Sequence, residues 1–148
     1  MLNEPKGRRE ANQTQTFLWE PFARNQGDRK QILTHIFRRS YGWPDVFAID
    51  ELKSADDPFI TDPSLEGYNR EWKVNEFITL CQEIANNSVS NENIIVPFGD
   101  DYAYMNAMMN WEQIDTLVKY VNEQQAVNLT VIQSTPSAFV NALKKENV

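Results

Sequence analysis

From Arg70 onward, apolar and polar residues alternate between two periods. Between Arg70 and Ala85 the apolar positions are Val74, Phe77, Ile78, Cys81, Ile84 and Ala85. They form one face of an amphipathic helix. Cys81 on that face reads as a small buried apolar side chain. The turn-rich "NNSVSNEN" ends the helix. The run "NIIVPF" is short, β-branched and unalternating, which predicts a buried strand. A second helix is predicted with Asn110 as N-cap and Gln113 as its capping-box partner. Its inner face would be Ile114, Leu117, Val118 and Val121. "AVNLTVIQST" then predicts a strand. "TPSAFVNALKK" predicts a helix with Thr135 as N-cap, Pro136 at its first position and lysines in the last turn. Helix, strand, helix, strand, helix is the pattern of an α/β fold with a parallel sheet.

The upstream third is less regular. Residues 1–14 are a polar N-terminal segment, and residues 15–148 are taken as the structured part. "FLWEPF" ends at a proline and fits an extended segment. "DRKQILTHIFRR" places Ile32, Leu33, Ile36 and Phe37 at i, i+1, i+4 and i+5, which predicts a short helix. Gly42 and Pro44 break it. "SADDPFITDPSLEG", with two Asp-Pro steps, predicts an ordered loop.

Composition narrows the partners. The 148 residues suffice for one core. Fourteen basic against 21 acidic residues give a formal charge of −7, which argues against a nucleic-acid partner. The short basic cluster Lys6 to Glu10 reads as a solvated end. With Cys81 the only cysteine, no intrachain disulfide can form. No apolar run approaches the ~20 residues of a membrane span. The N-terminus lacks an apolar core segment, so no signal peptide is expected. N-x-[ST] triplets at Asn12, Asn86 and Asn128 are glycosylation candidates. Asn86, in the turn-rich loop, is the favoured one of the three.

The chemistry concentrates in "PFGDDYAYMN", Pro97 to Asn106. In α/β barrels and open sheets the site lies at the carboxyl ends of strands, where this loop is predicted to sit. Adjacent side chains on extended backbone point to opposite faces. Asp100 and Asp101 therefore need not share a role, since one can face the site while the other braces the loop. A carboxyl beside aromatics can be held protonated by desolvation, as a general acid requires. From the residues alone the favoured reading is that both aspartates make turn or cap contacts. His35, the lone histidine, reads as structural. The sequence has no glycine-rich phosphate loop and no nucleophile elbow.

The run "IIVPFGDDYAYMNAMMNWEQIDTLVKYVNEQQ", followed by "VIQSTPSAFVNALKK", resembles the class II α-mannosidases of glycoside hydrolase family 38, lysosomal-type branch. That family has a strand ending in G-[DS]-D-[FY]-x-[YF], a helix ending in "IN" or "VN", and a strand running into "STP". The matching positions are Gly99, Asp100, Asp101, Tyr102, Tyr104, Asn106, Trp111, Val121, Asn122, Ser134, Thr135 and Pro136. Upstream, "FLWEPF" is similar to the family's F-x-W-R stretch, with Glu20 in place of arginine. "SYGWPDVFAID…DPFITDPSLEGYN" resembles the segment that follows it.

The resemblance implies that residues 15–148 form the middle section of a (β/α) catalytic barrel, an incomplete domain with parallel strands alternating with helices. It implies a retaining α-mannosidase with two carboxylates, one nucleophile and one acid/base. The acid/base position falls on Asp101, with Asp100 supporting and Tyr41 lining the substrate pocket. The parent enzyme would hold zinc through two histidines and two aspartates. Neither the upstream H-x-D motif nor the nucleophile is found here, and His35 matches no ligand position. No metal ligand is therefore expected in this chain, and no cofactor for it in isolation. Pro44 and Ala48 stand where the branch has a cysteine pair. The expected partners are a mannosyl oligosaccharide and the remainder of the polypeptide, and the expected location of the parent is lysosomal, vacuolar or secretory. The chain alone is expected to be inactive. The alternative is a non-catalytic α/β module that binds carbohydrate or protein.

Overall fold

A computed structural model describes residues 15–19, 31–37, 41–44, 46–48, 58–88, 90 and 92–146. The elements in chain order are β1 (Thr16–Trp19), β2 (Ile32–His35), α1 (Arg70–Asn86), α2 (Ala107–Asn122) and α3 (Pro136–Lys145). The basic cluster and Asn12 lie outside the described residues.

α1 follows its apolar face: Val74, Phe77, Ile78, Cys81 and Ile84 are buried. α2 packs beside it through Ile114, Leu117 and Val121. Phe47 and Phe59 close the cluster from the upstream segment. Lys73 is buried on the same face of α1, its Nζ donating to Val46 O at 2.6 Å and lying 5.5 Å from the Phe47 ring centroid. α3 begins at Thr135, whose Oγ1 accepts from Ala138 N, with Pro136 in the first turn and Lys144 and Lys145 in the last. The chemistry of each end matches the helix dipole.

Three sequence expectations need correction. Residues Ile32–His35 form a strand, not a helix. They pair antiparallel with β1 in the register Thr16↔His35 to Trp19↔Ile32. A four-residue apolar run fits either period, and here a partner strand decides it. α2 starts at Ala107, with Asn106 as cap; Asn110 lies buried inside the helix. Gln113 does not close a capping box, because its Oε1 accepts from Phe59 N at 2.5 Å.

The third correction concerns the sheet. Residues 94–98 and 127–131 belong to no ladder, the second segment turning tightly where Leu129 N donates to Val127 O at 2.9 Å, and among the described residues the only sheet is the β1–β2 pair. Both segments instead lay alternate side chains on the helix pair: Ile94, Val96 and Phe98 from one, Val127, Leu129 and Val131 from the other. Burial alternates along 127–131, whereas 94–98 is half-buried throughout. Asn122 substitutes for a missing neighbour at one point. Its Nδ2 donates to Val131 O at 2.9 Å and its Oδ1 accepts from Val131 N at 2.8 Å. The described residues thus form a small α/β unit of three helices and one two-stranded sheet.

The loop after Pro58 is ordered as expected. Asn69 holds it, accepting from Ile60 N at 2.8 Å and donating to Pro58 O at 2.9 Å. Asp62 Oδ1 accepts from the backbone N–H and the hydroxyl of Ser64.

Candidate functional site

The loop from Phe98 to Asn106 joins the segment 94–98 to α2. Phe98 anchors its start, packed against Phe47 and Phe77 with centroids at 6.2 and 6.0 Å. Trp43 stands edge-on to Phe98 at 5.6 Å and lies 5.6 Å from Tyr104. Tyr104 in turn lies 5.6 Å from Trp111 on α2. An aromatic column therefore runs from the core through the loop to the surface. The Tyr104 hydroxyl donates back to Phe98 O at 2.8 Å, tying the loop's start to its end. Burial pushes the Tyr104 phenol above its ordinary pKa, so it remains a donor.

The two aspartates point to different partners. Asp100 is half-buried and turned to the backbone: its Oδ1 accepts from Asp101 N at 2.7 Å, and its carbonyl accepts from Ala103 N at 3.0 Å. Its Oδ2 also lies close to the backbone at Gly42, where an added Cβ would sit 3.6 Å away. Asp101 is exposed, and its Oδ1 accepts from the Tyr41 hydroxyl at 2.8 Å. The segment Tyr41–Trp43 thus touches the loop three ways: a hydrogen bond to Asp101, a close approach to Asp100 and ring packing on Tyr104.

The turn is strained. Tyr102 and Tyr104 have φ of +63° and +67°, in the left-handed region that glycine or asparagine usually fills. For Tyr104, packing and the hydroxyl bond offset the cost. Tyr102 is 79% exposed and has little packing in return. Met105, Met108 and Trp111, which follow in sequence, are exposed as well.

Other candidates lie elsewhere. His35 is on β2, with Nδ1 2.9 Å from Thr16 Oγ1 and the ring edge-on to Phe37 and Phe139. Burial lowers its pKa, favouring the neutral ring. Cys81 is buried, and its thiol is pushed up to about 12. Among the described residues no three His, Cys, Asp or Glu side chains come together as a metal-ligand group. A boxed imidazole and a protonated thiol are not a zinc donor set, so the residues described do not fit that ion.

Sequence reasoning missed Trp43 and Gly42 as parts of this site. Their contacts with Phe98, Asp100 and Tyr104 are non-local, and the only local signal was the aromatic-glycine-aromatic run Tyr41-Gly42-Trp43.

The site is thus an exposed carboxylate, Asp101, on an aromatic-braced loop, with the Tyr41 hydroxyl donating to it. Comparison with known proteins gives the family. Residues 4–147 match the glycosyl hydrolases family 38 N-terminal domain, and the chain belongs to that family. It is 30% identical over 138 residues to the lysosomal alpha-mannosidase of Dictyostelium discoideum, covering 93% of this chain and 13% of that protein. It is 31% identical over 143 residues to the lysosomal alpha-mannosidase of Felis catus, covering 95% of this chain and 14% of that protein. An alpha-mannosidase of Arabidopsis thaliana is 30% identical over 139 residues, again covering 13% of its own length. The chain therefore spans only a small part of the relatives it matches.

Proposed function

We propose that this chain supplies the acid/base loop of a retaining α-mannosidase acting on terminal α-D-mannosyl residues of oligosaccharides or N-glycans, in a lysosomal or vacuolar setting. The observation that carries the reading is the division of labour within the pair. Asp100 braces the turn, while Asp101 is presented outward with one oxygen held by Tyr41. In the first step Asp101 gives its proton to the glycosidic oxygen as the bond to the anomeric carbon breaks. In the second it takes a proton from the water that releases the sugar. Tyr41, donating to the carboxylate, fixes which oxygen faces the substrate.

The nucleophile and the zinc ligands implied by the family would come from the rest of the polypeptide. On this reading the 148 residues alone do not hydrolyse mannosides. The test places this segment, with Asp101→Asn, in a full-length family member. Loss of the acid should slow hydrolysis by roughly a hundredfold or more for substrates with poor leaving groups, and much less for activated aryl mannosides. Near-normal turnover on a poor leaving group would sink the assignment.

A second reading is a non-catalytic carbohydrate- or protein-binding module. The exposed Tyr102, Met105, Met108 and Trp111 favour it, since such a surface can serve docking as well as catalysis. Mannoside binding by the isolated chain that survives Asp101→Asn and is lost in Trp111→Ala would favour the module.

A further inference from the structure

We propose that Asn128 is an N-glycan acceptor of this chain, in preference to Asn86. The two triplets sit in opposite structural settings. Between Val127 and Ile132 burial alternates: Val127, Leu129 and Val131 are half-buried, while Asn128, Thr130 and Ile132 are exposed. Leu129 N donates to Val127 O at 2.9 Å, closing a tight turn centred on Asn128. Asn128 and Thr130, whose amide and hydroxyl a glycosyl transferase must engage together, are both exposed on either side of half-buried Leu129. Neither side chain has a hydrogen-bond partner among the described residues. Leu129, between them, points inward against the helix pair.

The segment is also held at both ends, so a glycan here would not disturb packing. Val127 N donates to Gln124 O at 3.3 Å, and Asn122 brackets Val131. The bulky, hydrated sugar would extend from a face that contributes no side chain to the core.

Asn86 is exposed as well, but its triplet is tied into the end of a helix. It is the last residue of α1, where positions i and i+2 point in different directions. The hydroxyl of Ser88, the third residue of that triplet, is half-buried and donates to Ile84 O at 2.7 Å. Asn87, between them, caps the helix and donates through its side chain to Glu83 O at 2.7 Å. Using this triplet would require unwinding the end of α1. The sequence alone pointed to Asn86, because its turn-rich surroundings look like an exposed loop; the helix runs to Asn86 itself and reverses that order.

The proposal bears on the natural protein only if it enters the secretory route, as the proposed lysosomal or vacuolar setting requires. The test separates the two claims. The full chain is translated behind a cleavable signal sequence in the presence of microsomes, with Asn12→Gln throughout. A glycosidase-sensitive increase in mass is expected. It should be lost in Asn128→Gln and in Thr130→Ala, restored in Thr130→Ser, and retained in Asn86→Gln. No glycan on the microsomal product, or a glycan lost with Asn86→Gln and kept with Asn128→Gln, overturns the proposal. A glycan at Asn128 in microsomes supports it. If the protein from its natural source then carries none, the secretory setting fails and the acceptor geometry stands.

Discussion

Tyr102 is the clearest place to test whether the loop is strained as described. Alanine normally stabilises a position relative to glycine by about 0.4–1 kcal/mol, because glycine has more unfolded-state freedom to lose. At φ of +63° the order should reverse. A side chain in the left-handed region costs about 1–2 kcal/mol, which glycine does not incur. Taking about 1.5 for the strain and 0.7 for the entropy leaves glycine ahead of alanine by about 0.8 kcal/mol. The ring is lost in both variants, so its contribution cancels from the comparison. The local reporter is the Ala103 amide, which closes the turn by donating to Asp100 O at 3.0 Å. After correction for intrinsic rates, its hydrogen exchange should be about fourfold slower in Tyr102→Gly than in Tyr102→Ala, as about 1.4 kcal/mol is tenfold. Tyr104 supplies the contrast. Its φ is similar, but Tyr104→Gly also removes two ring contacts at about 0.5–1.5 kcal/mol each and a hydroxyl bond of about 1 kcal/mol. That variant should loosen the loop. Equal or slower exchange in Tyr102→Ala than in Tyr102→Gly would refute the account of strain.

Thr135→Ala should cost α3 about 1 kcal/mol by removing the acceptor for Ala138 N, read as faster exchange at that amide. Cys81, with its thiol pushed up to about 12, should resist a thiol reagent at about pH 8 in the folded chain and react readily in denaturant; rapid reaction without denaturant would contradict its burial. His35 has a folded pKa below 6.5, so the folded state prefers the neutral ring. The stability it contributes is present above 6.5 and is lost as pH falls from 6.5 through the folded value, read as loosening of Phe139 on α3; His35→Phe should abolish that pH dependence. Met108, 82% exposed, should promote self-association of the isolated chain, and Met108→Glu should reduce it in sedimentation.

The helices were most legible where their signals were local. α1 announces itself through Val74, Phe77, Ile78 and Cys81, and α3 through Thr135 and Pro136. β2 was not legible, because Ile32–His35 becomes a strand through its partner Thr16–Trp19 rather than through its own period. α2 begins earlier than Asn110 because Tyr104, tied to Phe98 and packed on Trp111, delivers the chain into the helix at Asn106. Gln113, read as a cap, answers a distant demand from Phe59. In the site, strand geometry was expected to separate Asp100 from Asp101; their different partners arise instead in a turn closed by Ala103 N donating to Asp100 O. The contact between Tyr41 and Asp101 could not be read from spacing, since 60 residues separate them. Resemblance brought Tyr41 to attention, and the fold gave it a specific contact.

What the chain contributes to catalysis, on the proposed reading, is position rather than environment. Proton transfer needs its donor held within about 0.5 Å of the productive geometry. Here that precision is inherited from the core: Phe77 and Phe47 fix Phe98, Phe98 fixes Trp43, and the same short segment that carries Trp43 carries Tyr41 to Asp101. A general acid also works best where water is excluded. Asp101 is exposed, and so are Tyr102, Met105 and Met108. These residues do not enclose a sugar by themselves, but they are the kind of surface that other parts of a larger polypeptide can cover. Position and enclosure are then supplied by different parts of the same enzyme. That division predicts that adding the rest of a family domain should change the surroundings of Asp101 more than its contact with Tyr41.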